Sequence, residues 1–210
     1  MKNTKFTFFL AGITMLLFLT SCAKVYHSPD ALRLCRDHRI IAVASPKVTI
    51  PPQKKLTPQE VSDLAAKESE SFQYEMVSWL LKRQRDGKIN VDVLDASTTI
   101  ATLTNASDGS KMMTPLNMAE TLDVDAVLLS TYKLTKPMST GAAIVTSVLF
   151  GFGTTNQVVV NMELYDRKSQ KMIWNFSHAL SGGLFSTSEQ LVNEVMRIAS
   201  KKLPYSKLKK

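Results

Sequence analysis

Val158-Val-Val-Asn-Met-Glu-Leu-Tyr-Asp-Arg-Lys-Ser-Gln-Lys-Met-Ile-Trp-Asn-Phe-Ser-His-Ala-Leu180 is the stretch that decides the fold. Its first half alternates between apolar and polar residues, with one strand face formed by Val158, Val160, Met162 and Leu164. A polar turn from Asp166 to Gln170 leads into a second alternating run, whose apolar face is Met172, Trp174, Phe176 and Leu180. The two runs predict an antiparallel hairpin. Its apolar face requires a covering layer of helices.

Two segments carry the helical signals that such a layer needs. Thr57-Pro58-Gln59-Glu60 is a capping box with proline at the first helical position. It predicts a helix to about Arg85, with Gly87 as its C-terminal cap. The apolar stripe of this helix, which we expect in the core, is Val61, Ala65, Phe72, Met76, Trp79 and Leu80. A second capping box, Ser186-Thr-Ser-Glu189, begins a last helix that Pro204 stops.

The rest of the pattern interleaves strands with short helices. Strands are predicted at 39–44, 90–94 and 126–134, with a short helix capped by Ser97 and another from Thr114-Pro115 through Leu122. The order is therefore β-α-β-α-α-β-β-β-α. This order favours the α/β class, with a mixed, largely antiparallel five-stranded sheet packed by helices in a single domain.

The first residues predict export and lipid attachment. Lys2 and Lys5 precede an apolar run from Phe6 to Leu19, and small residues lead to Cys22. A signal peptide has this order of charge, apolar core and small residues, and the run is shorter than the roughly 20 residues of a membrane-spanning helix. A cysteine directly after the cleavage site resembles the lipobox of bacterial lipoproteins. That resemblance implies cleavage before Cys22, diacylglycerol on its sulfur and acylation of the new amine.

These signals divide the chain into a signal peptide (1–21), a lipidated tether (22–38), the α/β domain (39–204) and a basic tail (205–210). The tether is predicted because the segment around Ser28-Pro29-Asp30 is charged and shows little periodicity. Two or three acyl chains exceed the two-signal threshold for stable anchoring. We therefore expect a lipid-anchored protein of the bacterial envelope. Because Ala23 follows the cysteine in place of an aspartate retention signal, we expect the outer membrane, facing the periplasm.

Positive charge is concentrated at the end of the chain. The 210 residues include 26 basic and 18 acidic ones, a formal net charge of +8. No acidic residue follows Glu194, but Arg197, Lys201, Lys202, Lys207, Lys209 and Lys210 do. These residues form either a solvated terminus or a contact for anionic lipid headgroups or an acidic polymer. We do not expect nucleic acid as a partner, because the chain is predicted to be exported and carries no nucleic-acid module.

The sequence predicts a protein without catalytic, cofactor or metal site. If Cys22 carries lipid, Cys35 is left without a partner, and we expect it to be a small, partly buried hydrophobe. There is no Cys-x-x-Cys pair or Cys/His cluster of the kind that binds zinc. His178 lies on the apolar face of the hairpin, where we expect a hydrogen-bonded core histidine. Asp123 and Asp125 straddle a helix-to-strand junction, where turn chemistry accounts for both.

Three pieces of the domain suggest relatives. They are Ile41-Ala-Val43, Val124-Asp-Ala-Val-Leu128 and the hairpin Leu164–Trp174. Together with Cys22 they resemble a broad group of envelope lipoproteins that includes the curli-type secretion-channel lipoprotein and the lipoprotein activators of penicillin-binding proteins. The domain of that group is similar to the amino-terminal domain of the Tol-system translocation protein. The resemblance covers residues 39–203 and implies an α/β fold with roles in assembly, scaffolding or activation.

One apolar insertion, residues 141–153, departs from that group. Channel-forming members insert two long amphipathic hairpins per subunit, whereas this single run is apolar on both faces and rich in glycine. It is predicted to be a buried core element, a surface for self-association or a partner, or a loop that dips into the membrane. The residues expected to make a partner or membrane contact are Ile144, Val148, Phe150 and Phe152.

Three functions remain open at this point. The first is a lipid-anchored interaction or assembly lipoprotein without enzymatic activity. The second is a subunit of an oligomeric outer-membrane secretion or channel complex, and the third is a small-ligand-binding protein. The expected partners are the membrane, through lipid on Cys22, and another protein or a second copy of the chain.

Overall fold

The computed structural model describes residues 23–52, 56–107, 113–134, 156–182 and 187–208. The strands are β1 (Lys24–His27), β2 (Ile40–Val43), β3 (Lys47–Thr49), β4 (Asp92–Val93), β5 (Ala126–Leu134), β6 (Asn156–Asp166) and β7 (Lys171–Gly182). The helices are α1 (Ala31–Asp37), α2 (Pro58–Arg85), α3 (Ala96–Ala106), α4 (Pro115–Thr121), α5 (Ser188–Ala199) and a 3₁₀ helix (Pro204–Lys207). Every element of the predicted order is present, and β1, α1, β3 and the 3₁₀ helix are additional.

The described strands form one seven-stranded mixed sheet of order β1-β7-β6-β5-β2-β4, with β3 also beside β5. Pairing is antiparallel between β5 and β6, β6 and β7, and β7 and β1, and parallel between β5 and β2, β5 and β3, and β2 and β4. The predicted hairpin is its centre, with Leu164 opposite both Leu128 and Trp174. The mixed α/β sheet is therefore confirmed. The prediction of five strands is wrong, because β1 and β3 are too short to show alternation.

Helices α2 and α5 cover the apolar face of β5, β6 and β7. Trp174 and Phe176 are fully buried in this main core. Phe72 of α2 packs against Tyr132 of β5 with ring centroids 4.7 Å apart. Burial of each large apolar side chain contributes about 1.5–3 kcal/mol, so this layer provides most of the packing. A smaller cluster on the opposite face forms where α3 and α4 pack on β2 and the start of β5.

The caps of the helices agree with the sequence for α2 and differ for α3. The Thr57 hydroxyl accepts the Glu60 N–H, and the Glu60 carboxylate accepts the Thr57 N–H at 2.7 Å, which completes the predicted capping box. Gly87 follows the helix with φ of 66°, a conformation that glycine adopts without strain. Helix α3 is capped by Asp95, and the prediction that Ser97 caps it is wrong.

The cap of α5 is only partly within the described residues. Thr187 caps this helix by accepting the Gln190 N–H, whereas Ser186, which the sequence predicted as the cap, lies outside the described residues.

Polar side chains of α2 support a break between β2 and β3. Pro46 lacks an N–H group and interrupts the strand, and β3 resumes directly after it. The buried Gln73 donates from Nε2 to the Val43 carbonyl at 2.7 Å, and the Ser69 hydroxyl donates to the Pro46 carbonyl at 2.6 Å. These bonds satisfy carbonyl groups that would otherwise be costly to bury.

Both ends of the described chain are folded, which corrects the description of a tether and a tail. β1 is an edge strand that pairs with β7 from Lys24 opposite Ser177 to His27 opposite Trp174. Ala23 and Val25 pack against the main core. At the other end, the 3₁₀ helix buries Tyr205 to 1% exposure. Both segments are too short for sequence periodicity to reveal them.

The sheet face that α2 and α5 leave uncovered is polar along the hairpin. Asn175 donates from Nδ2 to Asn161 Oδ1 at 2.9 Å, and Asn161 donates to Glu163 Oε1 at 3.2 Å. Two larger side chains on this side are half exposed, Val159 at 45% and Tyr26 at 48%. The alternation that predicted the hairpin therefore separates a packed face from a hydrated one.

Neighbouring leucines of α2 test the packed layer. Leu80 is 0% exposed and Leu81 is 40% exposed. Leu80→Ala should lower the free energy of unfolding by about 2–5 kcal/mol, because it leaves a cavity in the core. Leu81→Ala, the matched control, should change it by less than about 1 kcal/mol. Urea denaturation followed by circular dichroism measures both, and equal losses would contradict the observed orientation of α2.

Candidate functional site

Four polar side chains from distant parts of the chain meet at the end of the sheet where β2 and β5 begin. His38 lies between α1 and β2, Asp166 ends β6, Tyr205 belongs to the 3₁₀ helix and Cys35 belongs to α1. His38 is 8% exposed, and each of the other three is 1% exposed. We call these four residues the His38 cluster.

Hydrogen bonds join the His38 cluster into a chain. His38 Nε2 lies 2.6 Å from Asp166 Oδ1, and His38 Nδ1 lies 2.6 Å from the Tyr205 hydroxyl. Because a carboxylate can only accept, Nε2 carries the hydrogen of the first bond. Nδ1 completes the chain with the Tyr205 hydroxyl, which can either donate a hydrogen or accept one. Asp166 also accepts the backbone N–H of Ser169, which fixes the β6–β7 turn.

Burial suppresses the reactivity of Cys35 and Tyr205, the two weak acids of the His38 cluster. It raises the pKa of the Cys35 thiol to about 12; a hydrogen bond with Tyr205 acts against this rise and the Asp166 charge acts with it. The pKa of Tyr205 is raised well above its usual value, chiefly by burial and then by Cys35. Both groups are therefore protonated at neutral pH. A protonated, buried thiol or phenol is not a nucleophile.

The His38 cluster resembles a nucleophile–histidine–carboxylate arrangement in connectivity but not in chemistry. A catalytic triad needs an ionisable nucleophile that a substrate can reach, and Tyr205, in the position of the nucleophile, is 1% exposed. What the cluster does is hold three separate segments together: α1, the β6–β7 turn and the 3₁₀ helix. The geometry therefore supports a structural role.

A cleft of about 450 Å³ opens beside the cluster, and charged groups of both signs line it. Arg167 forms an ion pair with Asp123 at 2.8 Å. The Asp125 carboxylate accepts the backbone N–H groups of Arg39 and Ile40 at 2.7 and 3.0 Å. Burial, the largest single effect, raises the pKa of Asp125, but these two bonds together with nearby positive charge lower the pKa overall. Asp123 lies in the turn with φ of 50°, as turn chemistry predicts. Asp125 instead bonds to backbone 86 and 85 positions away, so local turn chemistry does not account for it.

His178 is buried on the apolar face of the hairpin, as predicted. Its exposure is 6%, and it packs against Phe176 with ring centroids 6.0 Å apart. The expectation of a hydrogen-bonded ring fails at Nδ1, which has no partner among the described residues. Burial lowers the pKa of His178, against the effect of Glu194. The neutral ring behaves as part of the core.

The residues predicted to carry lipid or to contact a partner or the membrane do not belong to the His38 cluster. Cys22, Ile144, Val148, Phe150 and Phe152 are all outside the described residues, so their roles stay predictions. Conversely, sequence reasoning missed His38, which falls in the segment predicted as a tether. The residues that bond to it lie 128 and 167 positions away, and no local pattern signals a pairing at that separation.

The described ranges contain neither a metal-binding cluster nor a membrane-spanning helix. Within them, no group of histidine, cysteine, aspartate or glutamate side chains is arranged to bind a metal ion. None of the helices described there combines the length and the apolar character needed to cross a bilayer.

Comparison with known proteins yields likenesses of structure alone. No family model matches the sequence, and no curated protein is significantly similar to it. The chain is similar to the PelC dodecamer protein from Paraburkholderia phytofirmans, with 14% identity and a TM-score of 0.43 over 87% of this chain and 96% of that one. It is also similar to lipoprotein GNA1162 from Neisseria meningitidis, with 15% identity and a TM-score of 0.43 over 78% and 96%.

A third likeness is to the C-terminal domain of LpoB from Salmonella enterica, with 12% identity and a TM-score of 0.36 over 71% of this chain and 94% of that domain. Identities and TM-scores of this size assign no function to the chain.

Removing one hydroxyl tests the structural role of the His38 cluster. Tyr205→Phe leaves His38 Nδ1 buried without its partner and should lower the free energy of unfolding by about 1–3 kcal/mol. Tyr26→Phe removes a half-exposed hydroxyl and should change it by less than about 0.5 kcal/mol. Chemical denaturation of the two variants beside the unsubstituted protein measures the difference. Equal stability of all three proteins would show that the cluster does not hold the segments together.

Proposed function

We propose that this chain is a lipid-anchored lipoprotein of the bacterial envelope whose α/β domain acts through protein contacts and not through catalysis. The observation that carries the proposal is Leu19-Thr20-Ser21-Cys22, placed after two lysines and the apolar run from Phe6 to Leu19. That order of residues is what export and processing before a cysteine require. Acyl chains on Cys22 would then hold the domain at a bilayer.

The start of the folded domain supports this assignment. Ala23 packs against the main core and β1 begins at Lys24. Removal of residues 1–21 would therefore leave the described domain intact. Lipid on Cys22 would add to the domain without displacing any described residue.

The chemistry of the described polar groups supports a role without catalysis. The His38 cluster joins a buried carboxylate, a buried histidine and a buried thiol, and its thiol and phenol are protonated at neutral pH. In the adjoining cleft, Asp125 accepts two backbone N–H groups and Arg167 is paired with Asp123. These contacts stabilise the fold, and the buried thiol and phenol beside them are not nucleophiles at neutral pH.

Substituting each of the two cysteines tests lipid attachment. Cys22→Ser should abolish incorporation of a clickable fatty-acid analogue and move the protein from the membrane to the soluble fraction, because it removes the acylated sulfur. Cys35→Ser is the matched control, since it changes the only other cysteine. It should keep both the label and the membrane fraction. Label that persists in the Cys22→Ser protein would contradict the proposal.

Crosslinking in intact cells tests the proposed role in protein contacts. The processed protein should be recovered from detergent-solubilised envelopes with a defined partner, or as a crosslinked oligomer. The same species should be depleted when Cys22→Ser prevents localisation. Quantitative mass spectrometry of matched samples measures the enrichment. Recovery of the protein alone, in native and crosslinked samples alike, would contradict a function based on protein contacts.

A further inference from the structure

The proposed anchor is joined to the sheet without a spacer. Ala23 alone lies between Cys22 and β1, and Ala23 itself packs against the core. An extended chain advances about 3.3 Å per residue, so His27 at the end of β1 lies about 16 Å along the chain from Cys22. Acyl chains on Cys22 would therefore bring the outer side of β1 to the bilayer. The domain would not move freely about its anchor.

The outer side of β1 is a sheet edge with exposed side chains. β1 comes first in the strand order, so only β7 pairs with it among the described strands. Lys24 is exposed, and Tyr26 is 48% exposed. They share the hydrated face of the sheet, because their partners across the ladder are Ser177 and Asn175. Tyrosine and lysine side chains are enriched where proteins meet the headgroup region of a bilayer.

Two more cations reach the same edge from the end of the chain. Lys202 and Lys207 are exposed. Burial and then the charges of these two lysines lower the pKa of His27, which lies opposite Trp174 on the packed side of β1. The two lysines therefore flank the end of β1 on the side away from Tyr26. Neither of them forms an ion pair within the described part of the chain.

The acidic group nearest to β1 in sequence does not offset these cations. Asp30 accepts the Ser28 hydroxyl at 2.7 Å and lies 3.6 Å from Arg33. The charge of Lys171 also reaches it. Cationic side chains thus already offset this carboxylate. The carboxylate in register with Tyr26 on the hydrated face, Glu163, lies two strands away on β6.

We propose that the β1 edge, defined as Lys24, Tyr26, Lys202 and Lys207, is the surface by which the anchored domain lies on an anionic phospholipid bilayer. This inference rests on the proposed lipidation of Cys22. It goes further by naming the membrane-facing side and the lipid chemistry that this side selects. A lysine at an anionic surface strengthens association roughly fivefold, and the tyrosine ring places an amphipathic group at headgroup depth.

Site-specific fluorescence on the lipidated full chain tests the orientation. Tyr26→Cys and Ala101→Cys each provide one labelling site, the second on the exposed surface of α3 at the opposite end of the sheet order. Cys35 does not compete for the label, because it is buried and its thiol pKa is raised to about 12. Each labelled protein is reconstituted into vesicles of phosphatidylcholine with phosphatidylglycerol, and quenching by neutral acrylamide is measured.

Two double variants that change the net charge of the protein equally distinguish a specific effect of Lys202 and Lys207 from an effect of net charge. Lys202→Glu with Lys207→Glu alters the β1 edge. Lys47→Glu with Lys67→Glu alters two exposed lysines of β3 and α2 and serves as the control. We expect several-fold weaker quenching at position 26 than at position 101. The first pair of substitutions and vesicles of phosphatidylcholine alone should reduce this difference, and the control pair should not.

Intact-mass measurement of each protein distinguishes a failure of the proposed lipidation from a failure of the proposed orientation. A chain without acyl mass on Cys22 contradicts the proposed function, and with it this orientation. Equal quenching at positions 26 and 101 in a chain that carries lipid overturns the orientation alone. Protection at position 26 that is unchanged by the Lys202/Lys207 reversal overturns the role of anionic lipid.

Discussion

The structure depends on the burial of one side of β5, β6 and β7 beneath α2 and α5. Trp174 and Phe176 are fully enclosed there, while their neighbour Asn175 faces water because successive strand residues alternate in direction. A shift of one residue in the register would exchange these positions and place the aromatic rings in solvent. The same alternation extends to β1, where Val25 packs inward and Tyr26 lies outside. A single constraint therefore determines both the core and the surface that remains free for contacts.

Elements with a long repeated pattern could be predicted from the sequence, and short ones could not. The 28 residues of α2 repeat an apolar stripe over many turns, and its capping box marks its start. The strands of the hairpin alternate long enough to determine their faces. β1 has four residues and β3 has three, so each offers one or two alternations at most. Their strand character comes from pairing with β7 and β5, which is tertiary information that a local pattern does not carry.

The same reasoning explains which parts of the candidate site could be predicted. Asp123 occupies a turn with φ of 50°, a role that its type and position predicted. Asp125 bonds to distant backbone, which its type and position did not reveal. His38 acts on Asp166 and Tyr205, which only the completed fold brings within 2.6 Å. A histidine in a charged, aperiodic segment is indistinguishable from a solvated one until its partners are known. Cys35 was predicted as a small, partly buried hydrophobe, and at 1% exposure it is buried more completely than expected.

Because the segment after Cys22 is folded, an anchor at Cys22 would restrict the orientation of the domain at the bilayer. A flexible tether would leave the orientation of the domain undetermined, and any face could meet a partner. Because Ala23 and Val25 are partly buried and pack against the core, a lipid on Cys22 would be attached to an element whose partner strand, β7, is part of the central hairpin. The bilayer would then limit the approach of other proteins to the edge next to β1. The far side of the sheet, with β4 and α3, would stay accessible from the aqueous phase.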